Sequence, residues 1–244
     1  VSDFWFPDTE IAGGRDKQGS FSGFFFGAKG GFNAESHNHN DVGNFVMYYN
    51  GKPCIIDIGR EEYTSKTFSS QRYEIWTMQS GWHNLPVING VEQKNGANFK
   101  AKNSTFSANP KSVVFSTDIS GAYQPDAKVK SWIRSYTLNR NKNFIVSDKF
   151  ELLEVVTGTV TSSNFITYCK VTEVKPGLLK FEGDGFTLNM SYNPGVTKPV
   201  LEFREVTDRS LKRYWPNGVT RIKMEYNKPA LKGSAIFIFS PSGN

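Results

Sequence analysis

Short runs in which apolar and polar residues alternate recur along most of the chain, and turn-forming residues separate them. This alternation is typical of strands that bury one face. Beyond residue 100, such runs predict strands over 112–118, 132–138, 144–150, 159–168, 178–182, 187–192, 200–206, 219–226 and 235–239. No stretch of roughly ten or more residues has the period of an amphipathic helix. The pattern predicts an all-β fold, a large antiparallel β-sandwich of two or more stacked sheets with no substantial helical domain.

The first hundred residues contain fewer clear runs, and their best signal is a hairpin. Two apolar runs, 45–49 and 54–58, flank the pair Asn50-Gly51. Asn and Gly tolerate the positive φ that a two-residue hairpin turn requires, so this pair predicts a tight turn. Residues 21–26 predict one further strand. Residues 64–79 have no clear period and predict a long irregular loop.

Length and composition are those of a globular chain. With 244 residues, of which 38% are hydrophobic, the chain can bury a sizeable core. Neither a shift in composition nor a repeat marks a second domain, so we predict a single β-sandwich domain over residues 1–244. No window approaches the roughly 18 consecutive apolar residues of a membrane span. Because the sequence starts with Val1 and not with methionine, we expect a processed chain or a piece of a longer one.

The charge balance favours an acidic partner. The net charge is +6, which suits a polyanionic sugar, a nucleic acid or a membrane surface. The basic residues are dispersed and no nucleic-acid-binding motif accompanies them, so we expect no nucleic-acid partner. Cys54 and Cys169 each lie in an apolar run without a second cysteine nearby, and we predict two buried free thiols.

All three histidines lie in one short span of the chain. His37 and His39 are separated by one residue, so both rings can project from the same face of an extended segment. Asp57 interrupts an apolar run, and a buried carboxylate is costly unless a cation or hydrogen-bond donors compensate it. A divalent metal would compensate it, and His83 would complete a set of two imidazoles and one carboxylate. That set favours Zn²⁺, with manganese or nickel as alternatives, although each histidine alone is equally compatible with a structural or surface role.

The same span resembles the C-terminal β-sandwich of the heparinase II/III-like polysaccharide lyases. The resemblance rests on His37-Asn38-His39-Asn40-Asp41-Val42-Gly43-Asn44-Phe45, on Asp57-Ile58-Gly59, and on His83-Asn84 followed by Val87-Ile88-Asn89-Gly90. It is strong over residues 20–95. Beyond them it is limited to the β-rich pattern and to a hairpin that contains Arg134 and Asp148.

The resemblance implies roles for these residues. His37 is expected to be catalytic and to face the uronic acid, whereas His39, Asp57 and His83 are expected to hold one structural divalent metal, most often Zn²⁺. The implied activity is β-elimination on acidic polysaccharides such as heparan sulfate, other glycosaminoglycans or alginate. The implied location is the bacterial periplasm or the exterior.

The family pattern also places an N-terminal α/α toroid before the sandwich, and this toroid carries the principal catalytic tyrosine. The present sequence contains no such segment. We therefore expect the chain to be the C-terminal part of a lyase, to work with the toroid of its parent chain, and to have little or no activity alone.

Five residues beside the expected ligands are candidates for binding an acidic sugar. They are Arg60, Tyr63, Arg72, Tyr73 and Trp82. Arginine can pair with carboxylate or sulfate through two hydrogen bonds, but solvated loop charges and aromatic loop packing would leave the same pattern.

Two functions from other classes stay open at this point. A non-catalytic carbohydrate-binding β-sandwich would share the fold and the basic charge. A cupin-like metal enzyme would share the spacing of His37 and His39, but the glutamate expected after them is absent, because Gly43 and Asn44 occupy those positions.

Overall fold

Strands dominate the structure, a computed structural model that describes residues 1–228 and 230–242. In chain order they are β1 (Asp3–Phe6), β2 (Ile11–Arg15), β3 (Phe24–Lys29), β4 (Phe32–Asn33), β5 (Phe45–Tyr49), β6 (Lys52–Ile55), β7 (Pro86–Val87), β8 (Gly96–Lys100), β9 (Lys102–Ala108), β10 (Ser112–Asp118), β11 (Val129–Asn139), β12 (Asn143–Leu152), β13 (Ser162–Thr167), β14 (Lys170–Lys175), β15 (Leu178–Gly183), β16 (Phe186–Ser191), β17 (Thr197–Arg204), β18 (Val219–Tyr226) and β19 (Lys232–Pro241). Within the described residues, the α-helical content is one short helix, α1 (Arg209–Lys212). The predicted all-β fold is confirmed, and no described helix is long and apolar enough to cross a membrane.

The strands form two large sheets and one small one. The first sheet has the order β1-β2-β3-β5-β6-β13-β18-β17, with β7 paired to β13. The second has the order β14-β15-β16-β19-β12-β11-β10-β9, and β4 pairs with β8 separately. The pairs between these strands are antiparallel, for example β11 with β12 and β5 with β6. The predicted antiparallel β-sandwich is therefore confirmed.

The main core lies between the two large sheets. It is rich in phenylalanine, and rings from opposite sheets touch: Phe45 lies 5.2 Å from Tyr136, and Phe165 lies 5.0 Å from Phe237, between ring centroids. Each of these rings is at most 2% exposed. Burial of one such side chain stabilises a fold by roughly 1.5–3 kcal/mol, so this layer is a firm base for the loops that leave it.

The hairpin predicted at Asn50-Gly51 is present. Asn50 has φ +51° and Gly51 has φ +75°, the two positive angles that a primed turn requires. The second strand of the hairpin is shorter than predicted, because β6 ends at Ile55 and not at Ile58. The Asn84 side chain, which is part of the site described below, bonds to the backbone just beyond the end of β6.

Several strands carry no strand pattern in the sequence. β2 lies inside the first sheet although it contains Gly13 and Gly14. Glycine is needed at position 13, because a Cβ atom there would meet the Phe4 ring and the Phe26 carbonyl within 2.7 Å. β9 and β14 are edge strands with mostly exposed polar residues; neither has a fully buried residue, although Phe106 and Val171 pack against the core. The region predicted as irregular contains three short 3₁₀ turns, Ser65–Phe68, Arg72–Glu74 and Trp76–Met78. Both cysteines are free and buried, as predicted.

Candidate metal centre

Three side chains from separate parts of the chain meet at one end of the first sheet. His39, Asp57 and His83 each offer one ligand atom, and these atoms all lie within 4.8 Å of one another. Nδ1 of His83 is 3.2 Å from Oδ2 of Asp57, and the His39 and His83 ring centroids are 5.2 Å apart. The sequence-predicted ligand set is therefore gathered at one place.

The loop that carries His39 is held at several points. The ammonium of Lys29 donates to Glu35 at 2.8 Å and to Asp41 at 2.9 Å, and so joins the two sides of the loop. Burial would lower the pKa of Lys29, but Asp41 and Glu35 outweigh that effect and raise it, which keeps the clamp charged. Further along, the amide of Gln93 exchanges two hydrogen bonds with the backbone of Val42.

Glycine is required where this loop rejoins the sheet. Gly43 has φ +82°, and a Cβ atom there would lie 2.6 Å from a methyl group of Ile119. Any larger residue would therefore meet both backbone strain and a steric clash. The Gly43 carbonyl also accepts a hydrogen bond from the buried hydroxyl of Tyr136.

Two asparagines fix the carboxylate. Asn44 Nδ2 donates to Asp57 Oδ2 at 2.6 Å, and Asn44 Oδ1 accepts from the backbone N–H of Asn84 at 3.0 Å. Asn84 Nδ2 donates in turn to the carbonyls of Phe45 at 2.7 Å and Ile56 at 2.9 Å. Asn84 Oδ1 also accepts from the backbone N–H of Ile166 in β13 at 2.6 Å, so this amide stands between β5, β13 and the end of β6, where β6 would otherwise continue its pairing.

A buried ion pair lies behind Asn84. The Arg134 guanidinium and the Asp148 carboxylate are both 0% exposed and make two parallel hydrogen bonds of 2.7 Å. Arg134 Nη1 also donates to the Asn84 carbonyl at 2.5 Å, and Ser163 donates to Asp148. The pair therefore connects β11 and β12 of the second sheet to the metal-ligand cluster.

The protonation of the three groups suits a cation. Burial lowers the pKa of His39 to about 4, with help from the charge of His83, so this imidazole is neutral at pH 7. Burial would raise the pKa of Asp57, but His83 outweighs it and the pKa falls well below the usual range. Burial would lower the pKa of His83, but the Asp57 carboxylate outweighs it and raises the pKa. Asp57 therefore favours a positive charge at His83, and a bound metal ion would supply that charge in place of a proton.

The geometry and the donors fit zinc. Zn²⁺ binds nitrogen and carboxylate oxygen at about 2.0–2.2 Å, which puts ligand atoms of a tetrahedral site about 3.3 Å apart. The contact between His83 and Asp57 has this length. Nε2 of His83, the ring nitrogen that does not face Asp57, is buried and has no hydrogen-bond partner among the described residues.

His37 lies outside this cluster and faces solvent. Its side chain is exposed, and its backbone has φ +57°, an uncommon angle for a residue other than glycine. Nδ1 of His37 is 3.4 Å from the hydroxyl of Tyr63, and the Arg60 guanidinium stacks on the Tyr63 ring at 4.1 Å. The two histidines of the His-Asn-His motif thus point to different surroundings.

A family model described as heparinase II/III-like, C-terminal, matches residues 3–174. The chain belongs to the heparinase II/III-like C-terminal family. This heparinase II/III-like domain has no match among curated proteins. The family assignment leaves the cupin alternative without support.

Solved structures share the fold. The heparan sulfate lyase HepC from Pedobacter heparinus is similar over 100% of this chain and 37% of its own, with 15% identity and a TM-score of 0.78. The heparinase III product of the BT4657 gene is similar over 100% and 36%, with 14% identity and a TM-score of 0.76. The heparinase II/III-like domain therefore spans little more than a third of the chains it matches.

The five candidate sugar-binding residues occupy three different settings in the heparinase II/III-like domain. Arg60 and Tyr63 are exposed beside His37. Arg72 is half-buried and donates to the carbonyls of Thr67 and Asn38, both at 3.0 Å, so it braces the His-Asn-His loop.

The other two candidates are Tyr73 and Trp82. Tyr73 is half-buried, with its hydroxyl 3.5 Å from Oδ1 of Asn38. Trp82 is 5% exposed and lies beneath the guanidinium groups of Arg204 and Arg221. Sugar binding by any of the five stays a prediction, and Trp82 offers a sugar little open ring surface.

Sequence reasoning did not single out three residues that support the site: Lys29, Asn44 and Gln93. Asn44 could have been found, because it lies in the motif that carries the resemblance. The others have no local signal, since their roles depend on segments that come together only in the folded chain.

Proposed function

We propose that this chain is the C-terminal part of a polysaccharide lyase that cleaves uronic-acid-containing polysaccharides by β-elimination. The observation that carries the proposal is that the two histidines of the His-Asn-His motif lie in different surroundings. His39 is drawn into a cluster with Asp57 and His83, and His37 is left exposed beside Tyr63 and Arg60. Membership of the family supports the same reaction class.

The exposed groups suit the chemistry of β-elimination. The C5 proton of a uronic acid becomes acidic enough to remove only when its neighbouring carboxylate is neutralised. An imidazole or guanidinium directed at that carboxylate stabilises the enolate that develops, and His37 and Arg60 are placed on this surface. A second group must take the proton and a third must protonate the leaving oxygen. We assign the principal base to the toroid of the parent chain.

The proposed metal is structural. His39, Asp57 and His83 would hold a Zn²⁺ ion, which when bound supplies a cross-link between three loops of the wall that presents His37. Asn44 orients the Asp57 carboxylate for this purpose, and Arg72 and Lys29 hold the loop in place. His37 itself stays free to contact the sugar.

Metal analysis tests the proposed structural metal site. The purified chain, loaded with Zn²⁺, is expected to retain about one ion per chain, as structural sites do. Asp57→Asn and His83→Ala should each lose the ion and lower the melting temperature, because a ligand and a cross-link are removed. His37→Ala is the matched control and should keep the ion. A loaded wild-type chain without bound metal, or ligand variants that bind it fully, would contradict the assignment.

A panel of uronic-acid polymers tests the proposed lyase activity. The full-length parent is expected to release unsaturated uronic acid products, detected by their ultraviolet absorbance, from at least one of heparan sulfate, chondroitin sulfate and alginate. The 244-residue chain alone should release little or none, because the toroid carries the main base. A metal-loaded parent that leaves every uronate polymer intact would refute the lyase proposal, and turnover by the chain alone would refute the division between the domains. Such substrates are consistent with a periplasmic or secreted bacterial enzyme.

A further inference from the structure

An arginine lies in a corner formed by two tryptophans beside the metal centre. Arg204 ends β17, and its guanidinium carbon is 4.2 Å from the Trp76 ring centroid and 5.0 Å from that of Trp82. The two indoles are 4.9 Å apart and nearly perpendicular, at 86°. Cation–π contacts of this kind restrict the guanidinium without neutralising its charge.

The Arg204 guanidinium is not paired with any residue that the structure describes. Among the residues that the structure describes, no carboxylate lies within 4.0 Å of it and no hydrogen bond from its side chain is formed. The neighbouring Arg221 is different: it donates to the Gly81 carbonyl at 2.8 Å and to Glu202 at 2.7 Å. Arg204 is half-buried, so its unpaired N–H groups stay available to an external anion.

The nearby carboxylates are committed to other partners. Glu202 is paired with Arg221 and lies 3.7 Å from Lys223. Glu61 accepts a hydrogen bond of 2.5 Å from the indole N–H of Trp76. Within the described part of the chain, neither of these carboxylates lies within 4.0 Å of the Arg204 guanidinium.

The same residues connect Arg204 to the surface around His37. Glu61 fixes Trp76 from a segment that also carries Arg60 and Tyr63, and the Tyr63 hydroxyl lies 3.4 Å from His37. A polysaccharide extends over several sugar units, so a charge on this wall can contact a unit other than the one at His37.

We propose that Arg204 binds an anionic substituent, a carboxylate or a sulfate ester, on an acidic saccharide bound along this wall. The inference rests on the proposed function and adds a specificity residue to it. A guanidinium presents parallel N–H groups that match either anion through two hydrogen bonds, and the indoles of Trp76 and Trp82 hold it ready. Arg204 lies beyond the region that the family model matches, so it is assigned from the contacts of this chain alone.

Calorimetric titration with heparin oligosaccharides tests the inference on this chain. Arg204→Met removes the charge but keeps an apolar stem against the indoles, and it is expected to weaken binding roughly ten- to a hundredfold, the range for a lost charged hydrogen bond. Arg204→Lys should bind with intermediate affinity, because it keeps the positive charge and loses the parallel N–H donors of the planar guanidinium. Lys111→Ala removes the same charge from an exposed turn and should bind like the wild type.

Modified ligands identify the anion. A desulfated heparin that abolishes the difference between wild type and Arg204→Met assigns sulfate, and a carboxyl-reduced heparin that abolishes it assigns carboxylate. Neutral dextran should not bind measurably to either protein. Equal losses in Arg204→Met and Lys111→Ala, or a wild-type chain that binds no anionic saccharide, would overturn the inference.

Melting temperatures and turnover by the parent distinguish anion binding by Arg204 from a role in folding and from the lyase reaction. A variant with unchanged binding but a lower melting temperature would assign Arg204 to folding and overturn the inference. An intact lyase reaction in the parent without Arg204-dependent binding rejects only the role of Arg204. Binding that depends on Arg204, in a parent that turns over no uronate polymer, supports the anion site and rejects the lyase.

Discussion

Replacing His37 by alanine in the full-length parent is expected to lower kcat by roughly 10²–10³-fold, the usual contribution of one positioned donor that stabilises a developing anion. Substrate affinity should change little, because Arg60, Tyr63 and the rest of the wall stay in place. Metal content should also be unchanged, since His37 lies outside the cluster of His39, Asp57 and His83. Initial rates on the best substrate of the polymer panel, together with metal analysis, measure all three quantities.

The control for this prediction is Lys111→Ala, which alters an exposed turn in the second sheet and should leave kcat at the wild-type value. His37→Gln should recover part of the turnover that His37→Ala loses, because the glutamine amide can still donate a hydrogen bond to the substrate carboxylate. Wild-type turnover in both His37 variants would remove this residue from the mechanism. A slow variant that has also lost its metal would assign the effect to folding of the loop.

Arg134→Ala is expected to destabilise the fold by roughly 3–5 kcal/mol, because it leaves the Asp148 carboxylate buried without its partner. Both side chains are 0% exposed, so water cannot compensate the lost ion pair. The free energy of unfolding from urea titrations of the wild type and the variant measures the effect. Zinc affinity should fall as well, because Arg134 holds the Asn84 carbonyl.

A double variant distinguishes the pair from its packing. Arg134→Met combined with Asp148→Leu removes both charges and should recover part of the lost stability, since a buried ion pair can often be replaced by apolar residues at little cost. Zinc affinity should stay low in the double variant, because the hydrogen bond to Asn84 is still missing. A single Arg134→Ala variant within about 1 kcal/mol of the wild type would contradict the expectation, as that is the size of an ordinary exposed pair.

The fold class followed from strand periodicity because the sandwich buries one face of most strands. The observed bounds of β10 and β18 equal the predicted 112–118 and 219–226, and both strands alternate buried and less buried residues over most of their length. β9 and β14 were not predicted, because edge strands with little apolar burial are held by backbone pairing and leave no pattern.

The gathering of His39, Asp57 and His83 was predicted from histidine concentration and from a carboxylate in an apolar run, two signals that are local in the sequence. The supporting residues could not be predicted in that way. Lys29 acts through a loop that folds back on its strand, and Gln93 acts through the backbone of Val42, 51 residues earlier in the chain. Their partners are set by topology, which local periodicity does not encode.

The hydrogen bonds that run from Asp148 through Arg134 and Asn84 to Asn44 and Asp57 make the ligand cluster dependent on the opposite sheet. A protein engineer who moved the three ligands and their loops onto another β-sandwich would therefore also have to transplant two charged residues from the far layer. For the same reason, a substitution deep in β11 or β12 is expected to disable the proposed cation site without touching any of its three ligand residues.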